Sequence, residues 1–131
     1  MVDDILNIDS NLLIDYNMNY INKIFKLLEI DTKIVYSSTL NINTTKTQRL
    51  YDICKTLDGT SYLAGQGAID YLDTVVFTND IKLMKHSFIH PKYEQLNSKE
   101  FVPYMSSLDI IMSVGIDGLK RMLNESKKDL L

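Results

Sequence analysis

Three short β-prone runs, Lys33 to Ser37, Ser61 to Ala64 and Ile81 to Phe88, are separated by helix-patterned segments, and this alternation constrains the fold more than any other feature. Neighbouring parallel strands need a crossover of a dozen or more residues, which a helix packed on the sheet usually supplies. The chain is therefore expected to be an α/β fold, a small parallel sheet of about three strands flanked by helices. So small a parallel sheet rarely stands alone, because its faces and edges need cover. A partner chain completing the sheet, or a homo-oligomer, follows as an expectation.

The helices are legible from spacing. Leu13, Tyr16, Tyr20, Ile24, Leu27 and Leu28 recur at three- and four-residue steps, predicting a packing helix from about Asn11 to Glu29. A second helix should open near Thr44 or Thr45, residues able to cap free N–H groups, and stop at Gly59. Leu50, Ile53, Cys54 and Leu57 form its stripe. Gly65-Gln66-Gly67 reads as a tight turn, Ala68 to Leu72 as the opening of a short helix, and Asn79-Asp80 as a turn before the last strand. Helical patterns at Ser106 to Ser113 and Ile116 to Leu123 are divided at Gly115, and a charged tail, KKDLL, closes the chain.

At 131 residues the chain fits one domain, residues 1–131. Its net charge of −3 gives no electrostatic reason to expect nucleic acid. Apolar runs fall far short of the ~20 residues needed to span a bilayer, and the acidic N-terminus does not look like a signal peptide, so the chain is read as cytoplasmic. One cysteine and two separated histidines give neither a disulfide nor a metal-ligand cluster. No cofactor is indicated.

Function is most legible in Phe88 to Asp109, FIHPKYEQLNSKEFVPYMSSLD, a polar, proline-punctuated segment that reads as a surface loop. His90 precedes Pro91 and is pushed toward an extended backbone at a strand end, where α/β sheets place ligands. An imidazole there suits a general acid or base, or it fixes the loop through a carbonyl. Tyr93 and Gln95 lie two apart and share a side of an extended chain. They could bind hydroxyl or amide groups of a ligand, or Gln95 could satisfy the Tyr93 hydroxyl. Asp109 falls in the first turn of the next helix, where Ser106 to Asp109 has capping-box spacing; the sharper reading is a carboxylate orienting His90.

The blocks Gln48-Arg49-Leu50-Tyr51-Asp52-Ile53-Cys54-Lys55, Tyr62-Leu63-Ala64-Gly65 with Asp70-Tyr71-Leu72-Asp73, His90-Pro91-Lys92-Tyr93-Glu94-Gln95-Leu96 and Phe101-Val102-Pro103-Tyr104-Met105-Ser106 with Leu108-Asp109 occur in one order. Together they resemble the C-terminal half of the WbqC-like family, over about Asn19 to Gly115. HPxYxQL followed by FxPYxSxxD carries most of the weight. The resemblance implies bacterial surface-polysaccharide biosynthesis of the O-antigen type, with a sugar or sugar nucleotide as ligand. The family's QPxxFP-like opening half is not in this sequence, and Met112-Ser113-Val114 stands where a Phe-Asn usually precedes Gly115.

Three further candidates complete the reading. Gly65, Gln66 and Gly67, between a strand and a helical pattern, could meet a phosphate, although the turn explains the glycines too and no GxGxxG is present. Arg49 matches the family run and is the better anion contact on its helix, where Lys46 reads as solvated. Cys54, on a buried stripe, reads as a small hydrophobe rather than a nucleophile.

Two classes of function follow. One is a transferase-like enzyme that modifies or transfers a group on a sugar precursor, with His90 and Asp109 catalytic and Tyr93, Gln95, Gly65, Gln66, Gly67 and Arg49 binding substrate. The other is a non-catalytic binding or assembly module, a truncated or split family member.

Overall fold

The computed structural model describes residues 7–77, 80–96 and 99–128. Asn79 of the expected turn and Asp129 to Leu131 of the charged tail lie outside the described residues. The chain divides into two compact units: residues 1–33 with 91–129, and residues 34–90.

The first unit is helical. Helix α1, Leu13–Leu27, ends where Glu29 turns left-handed at φ 56° and the Ile30 N–H donates back to Phe25 O at 2.8 Å. Its predicted stripe is used unevenly: Leu13 is 74% exposed, whereas Ile24 and Leu28 pack on the core. The long C-terminal helix, Ser107–Lys128, is α3, and it is broken at Gly115, whose φ of 75° and ψ of 175° are essentially open to glycine alone. The predicted division at Gly115 is thus present, two helical segments meeting at this non-helical residue. Tyr93, Ile110, Ile111 and Leu119 form the buried core, with Phe101, Val114 and Met122 against it. A hydrogen bond between the Tyr20 and Ser107 hydroxyls ties α1 to the start of α3.

The second unit carries the sheet. Helix α2, Lys46–Thr56, begins after extended Thr45, whose side chain makes no cap. Thr44 donates its hydroxyl to Asp52 at 2.5 Å instead, so the expected threonine cap is replaced by a side-chain bond to the second turn of the helix. At the other end Asp58, not Gly59, takes the left-handed conformation, at φ 55°. Gly59 is needed for closeness: its N–H reaches Cys54 O at 2.7 Å, and a Cβ would sit 3.1 Å from that oxygen.

Strands β1, Ser61–Ala64, and β2, Lys82–Lys85, pair in parallel with Leu63 opposite Met84 and Ala64 opposite Lys85. The α/β reading holds at a smaller scale than expected. Lys33 to Ser37 forms no strand; it is mostly exposed and runs into a 3-10 turn at Ser37–Thr39, closed by Thr39 N–H to Tyr36 O. A β-branched run without a neighbouring strand has no ladder to complete. The last strand is likewise shorter than Ile81 to Phe88, since β1 offers only four residues to pair with, plus the His86 N–H to Ala64 O bond. Between the strands, the helix expected at Ala68 to Leu72 is a single 3-10 turn, Ile69–Tyr71, followed by another at Thr74–Val76.

Candidate functional site

The irregular segment that carries Tyr93 and Gln95 and the first turn of α3 bring three polar side chains together in the first unit. Tyr93 donates its hydroxyl to Asp109 Oδ2 at 2.6 Å, and Gln95 Nε2 donates to the same oxygen at 3.0 Å. The Gln95 amide also pairs with the main chain of one residue, receiving the Val102 N–H at 2.7 Å and donating to Val102 O at 2.9 Å. A side-chain amide has the same planar donor and acceptor as a peptide, so Gln95 holds residue 102 as a neighbouring strand would. Phe101 completes the enclosure, its ring edge-on to Tyr93 at 5.4 Å.

This arrangement assigns electrostatic roles. Tyr93 is 9% exposed, and burial, reinforced by its hydrogen bond to the Asp109 carboxylate, raises its phenol above the ordinary value despite an opposing effect from Gln95. A phenol held above the tyrosine range keeps its proton at neutral pH and acts as a donor. Asp109 is therefore an oriented acceptor in a partly apolar setting. Capping falls to Ser106 alone, whose Oγ accepts the Leu108 N–H at 3.2 Å while the Asp109 carboxylate turns to Tyr93 and Gln95.

The other predicted residues lie in the second unit. His90 is half-buried, its ring edge-on to Phe88 at 6.2 Å, and Phe88 stacks on His86. Gln66 Nε2 donates to Phe88 O at 2.7 Å, joining the glycine turn to the segment leading to His90. Gly65 and Gly67 are exposed and open into a 3-10 turn too short to carry much of a helix dipole. Arg49 spends its guanidinium on backbone, donating to Ile42 O at 2.5 Å and to Ser37 O at 3.5 Å. Cys54 is half-buried, and burial raises its thiol, the setting expected of an inert cysteine. Among the described residues no group of His, Cys, Asp and Glu could hold a metal ion, and no helix is long and apolar enough to cross a membrane.

The model of the WbqC-like protein family matches residues 1–121, taking in every candidate site residue. The chain belongs to the WbqC-like family. This WbqC-like chain is also 28% identical over 103 residues to the uncharacterized protein Rv1507c of Mycobacterium tuberculosis, strain ATCC 25618 / H37Rv. That stretch is 77% of this chain and 44% of the relative, so the chain spans less than half of the relative's length. No solved structure matches it.

Sequence reasoning paired Tyr93 with Gln95 and missed that both converge on Asp109. It also missed Val102, because a backbone partner leaves no trace in residue type. One signal was available: both residues sit on the two blocks that characterise the WbqC-like pattern, HPxYxQL and FxPYxSxxD, and these are the blocks that meet.

Proposed function

We propose that this WbqC-like chain works in bacterial surface-polysaccharide biosynthesis of the O-antigen type, modifying or transferring a group on a sugar precursor. The observation that carries the reading is the convergence of the two motif blocks, through Tyr93 and Gln95 on Asp109 and through Gln95 on Val102. Polar side chains fixed this way commit their donors to one another and to Val102 O and leave the oxygens of Asp109 and Tyr93 as oriented acceptors for a hydroxyl-rich ligand, without spending entropy on ordering them at binding. In this reading Tyr93 and Gln95 orient substrate and Asp109 accepts a proton or a hydroxyl. His90 is carried separately as an acid or base, with Gly65, Gln66, Gly67 and Arg49 as contacts to an anion.

A thermal-shift series against sugar nucleotides, amino-sugar nucleotides and acyl donors tests the proposal. Stabilisation by one class, reduced in Asp109→Asn and in His90→Ala, is the expected result. A folded protein that responds to none of these compounds would overturn it.

A second reading, an assembly module, is favoured by the sheet. With only two described strands, β1 and β2 each keep an unpaired edge, and Leu63 and Met84, opposite each other in register, are 57% and 41% exposed. Parallel sheets are normally covered on both faces. Light scattering of the purified chain that finds a defined oligomer, lost in Leu63→Lys, would favour this reading.

A further inference from the structure

The second unit holds a groove lined in part by residues of the first two motif blocks, Gln48 and Leu50 from one and Tyr71, Leu72 and Asp73 from the other. It lies between the first turn of α2 and the 3-10 turns at Ile69–Tyr71 and Thr74–Val76, with a volume of about 840 Å³. Small-molecule sites commonly run from about 300 to 1,000 Å³. The two sides are tied together where the Asp73 N–H donates to Thr47 Oγ1 at 3.0 Å, and Thr47 is 6% exposed. The groove is thus framed by a partly buried bond between its walls.

Its lining has a definite chemistry. Leu50, Leu72 and Val76 give an apolar floor, and Tyr71 stands beside it 89% exposed, which is unusual for so large a ring. Gln48 adds an amide at the rim. Lys46 is the one cation among the lining residues and holds a left-handed backbone at φ 51°, a conformation that costs free energy for any residue but glycine. Asp73, the lining carboxylate, is engaged as the cap of its own turn, accepting the Val75 N–H at 3.2 Å.

We infer that this groove binds a phosphorylated ring compound, the ring on Tyr71 over the apolar floor and the phosphate at Lys46. The substrate class rests on the sugar-precursor reading above, while the place does not, since Tyr93 and Asp109 belong to the other unit. A sugar phosphate and a nucleotide share this chemistry. The experiment separates them.

Amide chemical shifts of the whole chain would be followed while titrating N-acetylglucosamine 1-phosphate, UMP, UDP-N-acetylglucosamine and unphosphorylated N-acetylglucosamine. The expected result is perturbation at residues 46–48 and 71–73, with Tyr71→Ala weakening binding about tenfold. Lys46→Gln should weaken the phosphorylated probes and leave the free sugar unchanged. Stronger binding of N-acetylglucosamine 1-phosphate than of UMP assigns the sugar to Tyr71, and the reverse assigns the base. Because Tyr71 is exposed, its replacement leaves the fold intact. Perturbation confined to residues around Tyr93 and Asp109 would overturn the groove while sparing the sugar-precursor reading. Silence toward all four probes would overturn the groove, and the acyl-donor arm of the thermal series then decides that reading separately.

Discussion

Tyr93 and Asp109 are joined by a 2.6 Å hydrogen bond in which a phenol that is almost wholly buried donates to a carboxylate in the first turn of α3. The bond links core to site. Tyr93 belongs to the same buried cluster as Ile110 and Ile111, the two residues that follow Asp109. The polar group is therefore positioned by packing on both of its neighbours.

Removing either partner should cost stability, and removing both should cost less than the sum. Tyr93→Phe deletes a bond to a charged acceptor and is expected to destabilise by about 1.5–3 kcal/mol. Asp109→Asn keeps the shape and weakens both bonds. Urea denaturation of the two single variants and the double variant measures the coupling, and additivity within ~0.3 kcal/mol would show that the bond contributes nothing specific.

Stability should also fall in alkali because of Tyr93. Its phenol is raised in the folded chain by burial and by Asp109, so the folded state holds the proton more tightly than the unfolded state does. That contribution is complete below the unfolded value of about 10 and is lost as pH rises from there through the folded value. Denaturation midpoints measured from about pH 8 to 11 should decline in the parent and decline less steeply in Tyr93→Phe.

Core truncation should separate positions that look alike in sequence. Ile111 is 6% exposed and Ile111→Ala is expected to cost about 2–5 kcal/mol. Leu50 is half-buried at the edge of a groove, so Leu50→Ala should cost less, and His90→Ala less again. Equal losses at Ile111 and His90 would show His90 to be a packing residue.

The two glycines of α3 should fail for different reasons. Gly115→Ala meets no atom within 4 Å but must hold a backbone that alanine avoids, a cost of order 1–3 kcal/mol. At Gly118 an added Cβ would stand 2.8 Å from Val114 Cγ2. Val114 Cβ would lie 2.9 Å from it as well, so Val114→Ala with Gly118→Ala should relieve the second defect only in part and leave the first untouched, as thermal midpoints of the variants will tell.

Legibility from sequence followed periodicity. The stripes of α1 and α2 and the break at Gly115 were visible because apolar spacing and a glycine report directly on backbone geometry. The pairing of Ser61–Ala64 with the run after Ile81 was visible for the same reason. Lys33 to Ser37 misled, because β-branched composition describes a willingness to pair and says nothing about a partner. At the site, Tyr93, Gln95 and Asp109 were individually singled out, yet their meeting is a tertiary fact. Asp109 read as a cap because Ser106 three residues earlier satisfies the local rule; the competing bonds come from residues 14 and 16 positions away. The groove at Tyr71 escaped because no local pattern marks an exposed ring as framing a cavity.

The lock between Gln95 and Val102 gives position 95 a narrow alphabet. A side chain there must present a donor and an acceptor on one flat group at the end of a two-carbon arm, and glutamine is the residue built that way. Glutamate would set two oxygens against the Val102 carbonyl and the Asp109 carboxylate, and asparagine would stop one carbon short. Newly sequenced WbqC-like chains can accordingly be sorted at this position: those with glutamine have the means to fasten the following loop as this chain does, and those without it must fasten it another way.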